Sequence, residues 1–172
     1  MSLTKIVECV PNFSEGKDRK VIDKICSAIK TIDTVEILDV DMGADTNRTV
    51  VTFIAEREHV AKAAYKGIEK AAELIDMNIH TGAHPRMGAT DVCPFVPVSN
   101  ITMEECVDIA KELGQMVGDQ LDIPIFLYEA AAVNEERQNL ANVRNGEYEG
   151  FSEKLKDTNW KPDFGPTKLN VK

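Results

Sequence analysis

Apolar positions along the chain alternate between short strand-like runs and longer stripes with helical spacing. The strand-like runs are six to eight residues long: Ile6–Phe13, Val35–Val40, Thr49–Ala55, Val92–Val98 and Ile123–Tyr128. Two helical stripes cover Asp18–Ile32 and Val60–Ile75, and a third begins after Thr102, where Glu105 completes a capping box. Weaker helical segments follow within Leu140–Leu155.

The order of these elements is β-α-β-β-α-β-α-β, followed by helical segments. The short connection between the second and third runs indicates an antiparallel pair. Without its last helix and strand, the order is typical of a ferredoxin-like split βαβ arrangement, in which helices cover one side of a sheet. We therefore predict one α+β domain over residues 1–172, a two-layer sandwich with a mixed sheet of about five strands and helices on one face.

Length and composition are those of an ordinary globular protein. The chain has 172 residues, 43% hydrophobic and 28% charged, and a domain of this size buries about 70% of its unfolded surface. The net charge of −9 argues against nonspecific nucleic-acid binding, which needs a basic surface. No apolar run approaches the roughly 20 residues of a membrane span, and the N-terminus lacks a signal-peptide pattern. We predict no membrane partner and a cytoplasmic location.

The four cysteines are Cys9, Cys26, Cys93 and Cys106. None belongs to a CxxC pair, and each has apolar neighbours. Their spacing supports neither a zinc site nor a disulfide framework. We predict that they are buried small hydrophobic side chains.

The segment His80–Pro97 (HTGAHPRMGATDVCPFVP) concentrates the polar chemistry of the chain. It holds two of the three histidines, and its glycines and prolines interrupt any helical pattern. The proline after His84 also disfavours the helical conformation there. We predict a stiff loop that enters a strand and holds His84, Arg86 and Asp91 near one another.

Two other interpretations of this loop stay open from the residues alone. It is also compatible with a tight surface connection whose histidines are solvated. His80 and His84 are four residues apart, a spacing that binds zinc on a helix, but glycine and proline argue against a helix and no HExxH glutamate is present. We predict no metal.

Polar clusters follow the ends of three predicted elements: Asn12 with Ser14, Asp39–Arg48, and His80–Asp91. In a split βαβ sheet, such loops can converge at one edge and bring a histidine base, arginines and an aspartate together. Separate turns, closed by Asp and Asn side chains on their own backbone, are the alternative. Physical chemistry alone indicates an acidic α+β domain with a candidate histidine site.

Four longer stretches form a recognisable set: VECVPNFSEG (Val7–Gly16), LDVDMGADTNRTVVTF (Leu38–Phe53), LIDMNIHTGAHPRMGATDVCPFVPV (Leu74–Val98) and PDFGP (Pro162–Pro166). In this order they resemble the N-terminal subdomain of glutamate formiminotransferase, which also begins formimidoyltransferase-cyclodeaminase. The resemblance covers nearly the whole chain. One departure is Ala83, where the family's GEHPR motif commonly has glutamate.

The resemblance implies transfer of a formimino group from N-formimino-L-glutamate to N5 of tetrahydrofolate, the co-substrate, in histidine degradation. The family's catalytic histidine falls on His84, and the aspartate of its LDVD motif falls on Asp41. Its folate-binding stretch begins at Gly165 and Pro166. The family fold is two ferredoxin-like subdomains with the folate between them.

The residue types suit this chemistry. The folate amine attacks an amidine carbon, and the glutamate amine leaves. One histidine can take the first proton and return it to the leaving nitrogen, because its unperturbed pKa is about 6.5. Asp41 could hold the cationic amidine, and charge matching assigns the substrate carboxylates to Arg48 and Arg86.

The family continues after the FGP motif into a second subdomain, so the resemblance implies a pocket shared with another polypeptide. We expect an enzyme subunit that works with a second-subdomain chain or as a homodimer. A non-catalytic folate- or formiminoglutamate-binding regulatory module and a structural dimer-forming domain are the alternatives. The presence of His84, Arg86 and Asp41 favours a role that involves the ligand.

Overall fold

Six strands, five α-helices and three short 3₁₀ helices make up the regular structure of residues 3–170, the part of the chain that the computed structural model describes. The strands are β1 (Ile6–Cys9), β2 (Asn12–Phe13), β3 (Glu36–Gly43), β4 (Arg48–Glu56), β5 (Thr90–Val92) and β6 (Phe95–Ser99). The helices are α1 (Arg19–Ile29), α2 (Arg57–Leu74), α3 (Met103–Leu121), α4 (Leu140–Arg144) and α5 (Glu147–Lys154). The predicted capping box of Thr102 and Glu105 begins α3.

The strands form one sheet in the order β5-β2-β4-β1-β6, with β3 also paired to β4. β1 and β2 both pair with β4, and β6 and β5 pair in turn with β1 and β2. Every strand pairing among the described residues is antiparallel. The predicted antiparallel contact between the second and third runs is therefore confirmed as β3–β4, whereas the predicted mixed sheet is wrong.

Prolines divide two of the predicted strands and the last predicted strand does not form, so the sheet has six strands instead of about five. The first run breaks at Pro11, whose carbonyl still accepts a hydrogen bond from the Val51 amide at 3.0 Å. The fourth run breaks at Pro94, whose carbonyl accepts from the Val10 amide at 3.2 Å. Proline has no N–H, so neither residue can donate to the ladder, and the chain bends where it stands.

The predicted fifth strand, Ile123–Tyr128, is not a strand. It makes one isolated antiparallel bridge, between Ile125 and Phe164. Pro124 has no amide to donate, and the Leu127 amide donates to the Asp163 carboxylate at 2.7 Å instead of to a strand. The last of the five predicted strands is thus absent from the sheet.

The core lies on one face of the sheet. Alternate residues of β4 (Thr49, Val51, Phe53 and Ala55) are buried, together with the apolar stripes of α1, α2 and α3. α2 contacts both α1 and α3. A Cβ on Gly67 of α2 would stand 2.9 Å from the Ile29 side chain, so glycine lets these two helices approach closely. No helix in the described range is long and apolar enough to span a bilayer.

The apolar residues of α1, α2 and α3 pack on the buried face of the sheet, and we call the opposite face the open face. Val96 and Val98 of β6 alternate with the buried Phe95 and are 40% and 57% exposed. Val96 lies opposite Glu8 of β1, which lies opposite Ile54 of β4. This row thus has apolar side chains at Val96 and Ile54 with the charged Glu8 between them, and the exposed apolar surface lies on β6.

Candidate functional site

Asn47, in the turn between β3 and β4, ties three loops together at one end of the sheet. Its Oδ1 accepts from the Gly16 amide at 2.9 Å, and its Nδ2 donates to the Thr81 carbonyl at 2.8 Å. Its own carbonyl accepts a hydrogen bond from Nε2 of His80 at 2.9 Å. The backbone of Asn47 is left-handed, with φ of 48°, which asparagine tolerates better than most residues. The loop after β2, the β3–β4 turn and residues 80–89, which we call the histidine loop, are thus joined.

The histidine loop is non-helical, as predicted, and is fixed at both ends. A Cβ on Gly82 would stand 2.3 Å from the Thr46 carbonyl oxygen, so only glycine fits this close approach. Ser14 donates from its Oγ to the Gly88 carbonyl at 2.7 Å and from its amide to the Ala89 carbonyl at 2.9 Å. The loop therefore presents its side chains from a rigid frame.

His80 belongs to this frame. Its Nε2 donates to the Asn47 carbonyl, so its Nδ1 is the acceptor for Nε of Arg86 at 3.2 Å. Both ring nitrogens are engaged. Within residues 3–170, no group of three or more His, Cys, Asp and Glu side chains is arranged to hold a metal ion.

His84 contacts Arg48, the first residue of β4. Nη1 of Arg48 lies 2.8 Å from Nε2 of His84 and also donates to Oδ1 of Asn12 at 2.9 Å. Because a guanidinium only donates, Nε2 of His84 accepts and its ring is neutral with the proton on Nδ1. That Nδ1 is buried and has no hydrogen-bond partner among the described residues.

Burial lowers the pKa of His84 below its ordinary value, and the charge of Arg48 lowers it further. The backbone at Pro85 acts in the opposite direction and raises the pKa of His84, but its effect is smaller than those of burial and of Arg48. A histidine with a lowered pKa is neutral at neutral pH and keeps a lone pair that can accept a proton. The surroundings of His84 therefore suit a general base.

Replacing Arg48 by glutamine should raise the pKa of His84, because the change removes a neighbouring positive charge and keeps a donor for Nε2. The imidazole proton resonances, followed by NMR as a function of pH, measure this shift. Arg19→Gln is the matched control, since Arg19 is exposed and bonds Asp23. An unchanged or lower pKa in the Arg48 variant would contradict the electrostatic argument.

Asp41 projects from the open face beside this pair. In the strand register it lies opposite Val50, and Asn12 lies opposite Val50 from the other side. Directly paired residues share a face, and Arg48 shares it too because it stands two residues before Val50. Strands are about 4.8 Å apart, so the Cα atoms of Asp41 and Asn12 are roughly 10 Å apart. The Asp41 side chain is exposed and free to meet a ligand.

Arg86 lies in a different group. Its side chain is 7% exposed, and Nη1 donates to Glu147 and Glu149 at 2.9 Å each. Nη2 donates to Glu149 at 2.7 Å and to the His80 carbonyl at 3.2 Å. The bond to Arg86 lowers the pKa of Glu149. With its donors taken, Arg86 is arranged to hold the histidine loop against α5 more than to clamp a substrate.

Asp91 performs a similar anchoring task. Its Oδ1 accepts from the Met87 amide at 2.9 Å, and its Oδ2 accepts from Nε of Arg144 at 2.9 Å. The positive charge of Arg144 lowers the pKa of His84 and the negative charge of Asp91 raises it, so both residues lie near His84. Sequence reasoning missed Arg144, Glu147 and Glu149 because they follow residue 140, where the periodic pattern weakens.

Gly165 and Pro166 lie at the end of α3. Gly165 has φ of 79°, and a Cβ there would stand 2.2 Å from the Ile123 carbonyl oxygen. A Cβ on Gly118 of α3 would in turn meet the Gly165 amide at 2.5 Å. The close contacts of Gly165 are thus with α3 and Ile123, and they fix the conformation of the FGP segment.

A family model described as the formiminotransferase domain, N-terminal subdomain, matches residues 6–172. The chain belongs to this family. Among curated proteins, this formiminotransferase subdomain is 53% identical over 167 residues to formimidoyltransferase-cyclodeaminase of Dictyostelium discoideum. It is 49% identical over 168 residues to glutamate formimidoyltransferase of Streptococcus pyogenes serotype M1, and 51% over 164 residues to that of Thermoplasma acidophilum.

These matches use nearly all of this chain but only part of each relative. They cover 97%, 98% and 94% of the chain, and 31%, 56% and 54% of the respective relatives. The chain therefore spans about half of the length of the two glutamate formimidoyltransferases and about a third of that of the formimidoyltransferase-cyclodeaminase.

Proposed function

We propose that this chain supplies the catalytic half of a glutamate formimidoyltransferase site. The group transferred is the formimino group of N-formimino-L-glutamate, and the acceptor is N5 of tetrahydrofolate. The observation that carries the proposal is the neutral His84 held against Arg48 at the open face. The names of the relatives support the reaction class, since those proteins are formimidoyltransferases.

Arg48 gives this site a way to respond to substrate. Before substrate binds, its guanidinium occupies Nε2 of His84. A carboxylate of formiminoglutamate is a stronger acceptor than a neutral imidazole, so it draws Arg48 away and frees the lone pair of His84. The base is thus released when the substrate is in position.

The reaction then proceeds by addition and elimination. N5 of tetrahydrofolate forms a bond to the formimino carbon, and its proton passes to Nε2 of His84. The bond between that carbon and the glutamate nitrogen breaks, and His84 returns the proton to this nitrogen. The products are glutamate and 5-formiminotetrahydrofolate. The exposed carboxylate of Asp41 stabilises the cationic amidine during the addition.

The remaining predicted site residues have unequal support. Gly165 and Pro166 are proposed as the start of the folate-binding stretch on the basis of the FGP motif. For Arg86, the ion pairs with Glu147 and Glu149 favour a role in holding the histidine loop over the carboxylate clamp suggested by charge matching.

We infer that the fold is a ferredoxin-like split βαβ arrangement. Counting β1–β2 and β5–β6 as one bent strand each, the four strands lie side by side in the order fourth, first, third, second, which is the order that this arrangement requires. We also propose that the protein acts in the cytoplasm.

We further propose that the folate site is completed by a second polypeptide, either a second-subdomain chain or another copy of this one. The two exposed valines of β6, Val96 and Val98, support this, because exposed apolar side chains on a strand at the edge of a sheet suit an interaction site. Holding two reactants in the right geometry lowers the activation barrier by about 7–11 kcal/mol. In this proposal, each of the two polypeptides supplies only part of the surface that holds the reactants.

The test is an assay of 5-formiminotetrahydrofolate formation by the 172-residue chain, alone and mixed with the remaining half of the Streptococcus pyogenes relative. We expect little turnover alone and activity in the mixture. Full-rate turnover by the isolated chain would contradict the need for a second half. Ligand binding without turnover in the mixture would favour a regulatory module, and no ligand binding would favour a structural dimer-forming domain.

A further inference from the structure

Two cysteines from distant parts of the sequence meet in the sheet. Cys9 ends β1, and Cys93 lies in the break between β5 and β6. Their sulfur atoms are 3.5 Å apart, although the two residues are 84 positions apart in sequence. All four cysteines are free thiols, so this contact joins two reduced side chains.

The two thiols differ in access. Cys9 is fully buried, whereas Cys93 is half-buried and lines a cavity of about 310 Å³. This cavity lies between the β5–β6 edge of the sheet, α3 and the segment around Ile125. A small uncharged oxidant that enters the cavity reaches the sulfur of Cys93 before that of Cys9.

We propose that Cys93 and Cys9 form an oxidisable dithiol, in which Cys93 reacts with a peroxide and Cys9 resolves the product as a disulfide. This inference rests on the geometry of the two thiols and is independent of the proposed function. It assigns a modification site that lies outside the His84–Arg48 pair.

The chemistry balances with hydrogen peroxide as the oxidant. The sulfur of Cys93 attacks one peroxide oxygen, which gives a sulfenic acid and one water. The sulfur of Cys9 then attacks the Cys93 sulfur, and the sulfenic hydroxyl leaves with a proton as a second water. In total, two thiols and one peroxide give one disulfide and two waters.

Two features set the order of these steps. Burial raises the pKa of the Cys9 thiol, so Cys9 stays protonated and reacts slowly with an oxidant. Once Cys93 carries the sulfenic acid, proximity makes Cys9 the first thiol it meets. The sulfur–sulfur distance must shorten from 3.5 Å by about 1.5 Å to reach the 2.03–2.05 Å of a disulfide. That closure calls for side-chain rotation and a small adjustment at the break between β5 and β6.

The new disulfide would act on the surroundings of His84 through two nearby backbone segments. Cys93 follows Asp91, which holds the Met87 amide of the histidine loop, and Cys9 precedes Asn12, which holds Arg48. A disulfide therefore couples the two strands that carry these supports.

The test treats the purified chain with a small excess of hydrogen peroxide, quenches it with an alkylating agent and digests it with trypsin without reduction. The expected product links peptide 6–17 to peptide 87–111, with a mass about 2 Da below the sum of the two. Two of the four thiols should be lost when the denatured product is titrated. A reducing agent should restore both.

Peptide 87–111 also contains Cys106, so the experiment is repeated in Cys106→Ser, with Cys26→Ser as the second control. Both controls should form the link as the parent does. Cys93→Ser should abolish it completely, and Cys9→Ala should leave Cys93 as a sulfenic or sulfinic acid. Cys93 is not in the buried core, so its variant keeps the test valid if the Cys9 variant is poorly folded.

Three results would overturn the proposal. One is a first disulfide that contains Cys26 or Cys106 in the parent protein. Another is irreversible oxidation of Cys93 in the parent without any link to Cys9. The third is persistence of four free thiols at a peroxide dose that oxidises free cysteine.

Discussion

His84→Gln should lower kcat for formimino transfer by about 10²–10⁴-fold in the two-half complex, with little change in KM. Glutamine can still meet Arg48, so the site should keep its shape. It cannot accept and return a proton as imidazole does, so only the acid–base contribution is lost. Steady-state kinetics of 5-formiminotetrahydrofolate formation measure the effect.

The matched control is His59→Gln. His59 stands at the start of α2, at the end of β4 opposite to Arg48, and hydrogen-bonds Thr34. It should keep kcat and KM at the parent values. A kcat for the His84 variant within about threefold of the parent would remove His84 from the acid–base role, because even weak general catalysis contributes more.

Arg137→Met should destabilise the fold by about 3–5 kcal/mol, the cost of removing one partner of a buried ion pair. The side chains of Arg137 and Asp163 are 3% and 12% exposed, and their bond is 2.7 Å long. Arg137 also donates to the carbonyls of Asn159 and Lys161 at 3.2 and 2.6 Å. The substitution leaves a buried carboxylate and two carbonyls without this donor. Urea unfolding measures the loss.

A double variant separates charge from packing. Arg137→Met combined with Asp163→Asn should be more stable than the sum of the two single changes predicts, because no unpaired carboxylate stays buried. Lys156→Met is the control, since its pair with Glu153 is exposed, and it should not move the unfolding midpoint. A loss below about 1 kcal/mol in the Arg137 single variant would show that the pair is not structural.

Local patterns in the sequence predicted much of the fold. The capping box at Thr102 and the short turn between β3 and β4 depend on neighbouring residues, so they can be read from a few positions. Ile123–Tyr128 was misread because a short apolar run does not say whether its amides find a strand or, as at Leu127, a carboxylate.

Sequence motifs predicted which residues belong to the candidate site, but they did not predict which side chains contact one another there. The motif resemblance singled out His84 and Asp41, but nothing local predicts that Arg86 is closed off by Glu149, which is 63 positions away. The contact between Cys9 and Cys93 has the same origin, because it depends on how the two bent strands align. Such contacts belong to the tertiary structure, and a single sequence carries no periodic signal for them.

The three hydrogen bonds of Asn47 have a consequence for the order in which the molecule folds. They span 31, 33 and 34 positions, so each needs a loop to close before it can form. Contacts of this separation form more slowly than helical turns, and we therefore expect the end of the sheet that carries Asn47 and His84 to be among the later regions to fold. Since one side chain and one carbonyl hold all three loops, they should also open as a single cooperative unit. Partial opening of the histidine loop alone would then be rare, and Asn47 would release Gly16, Thr81 and His80 together.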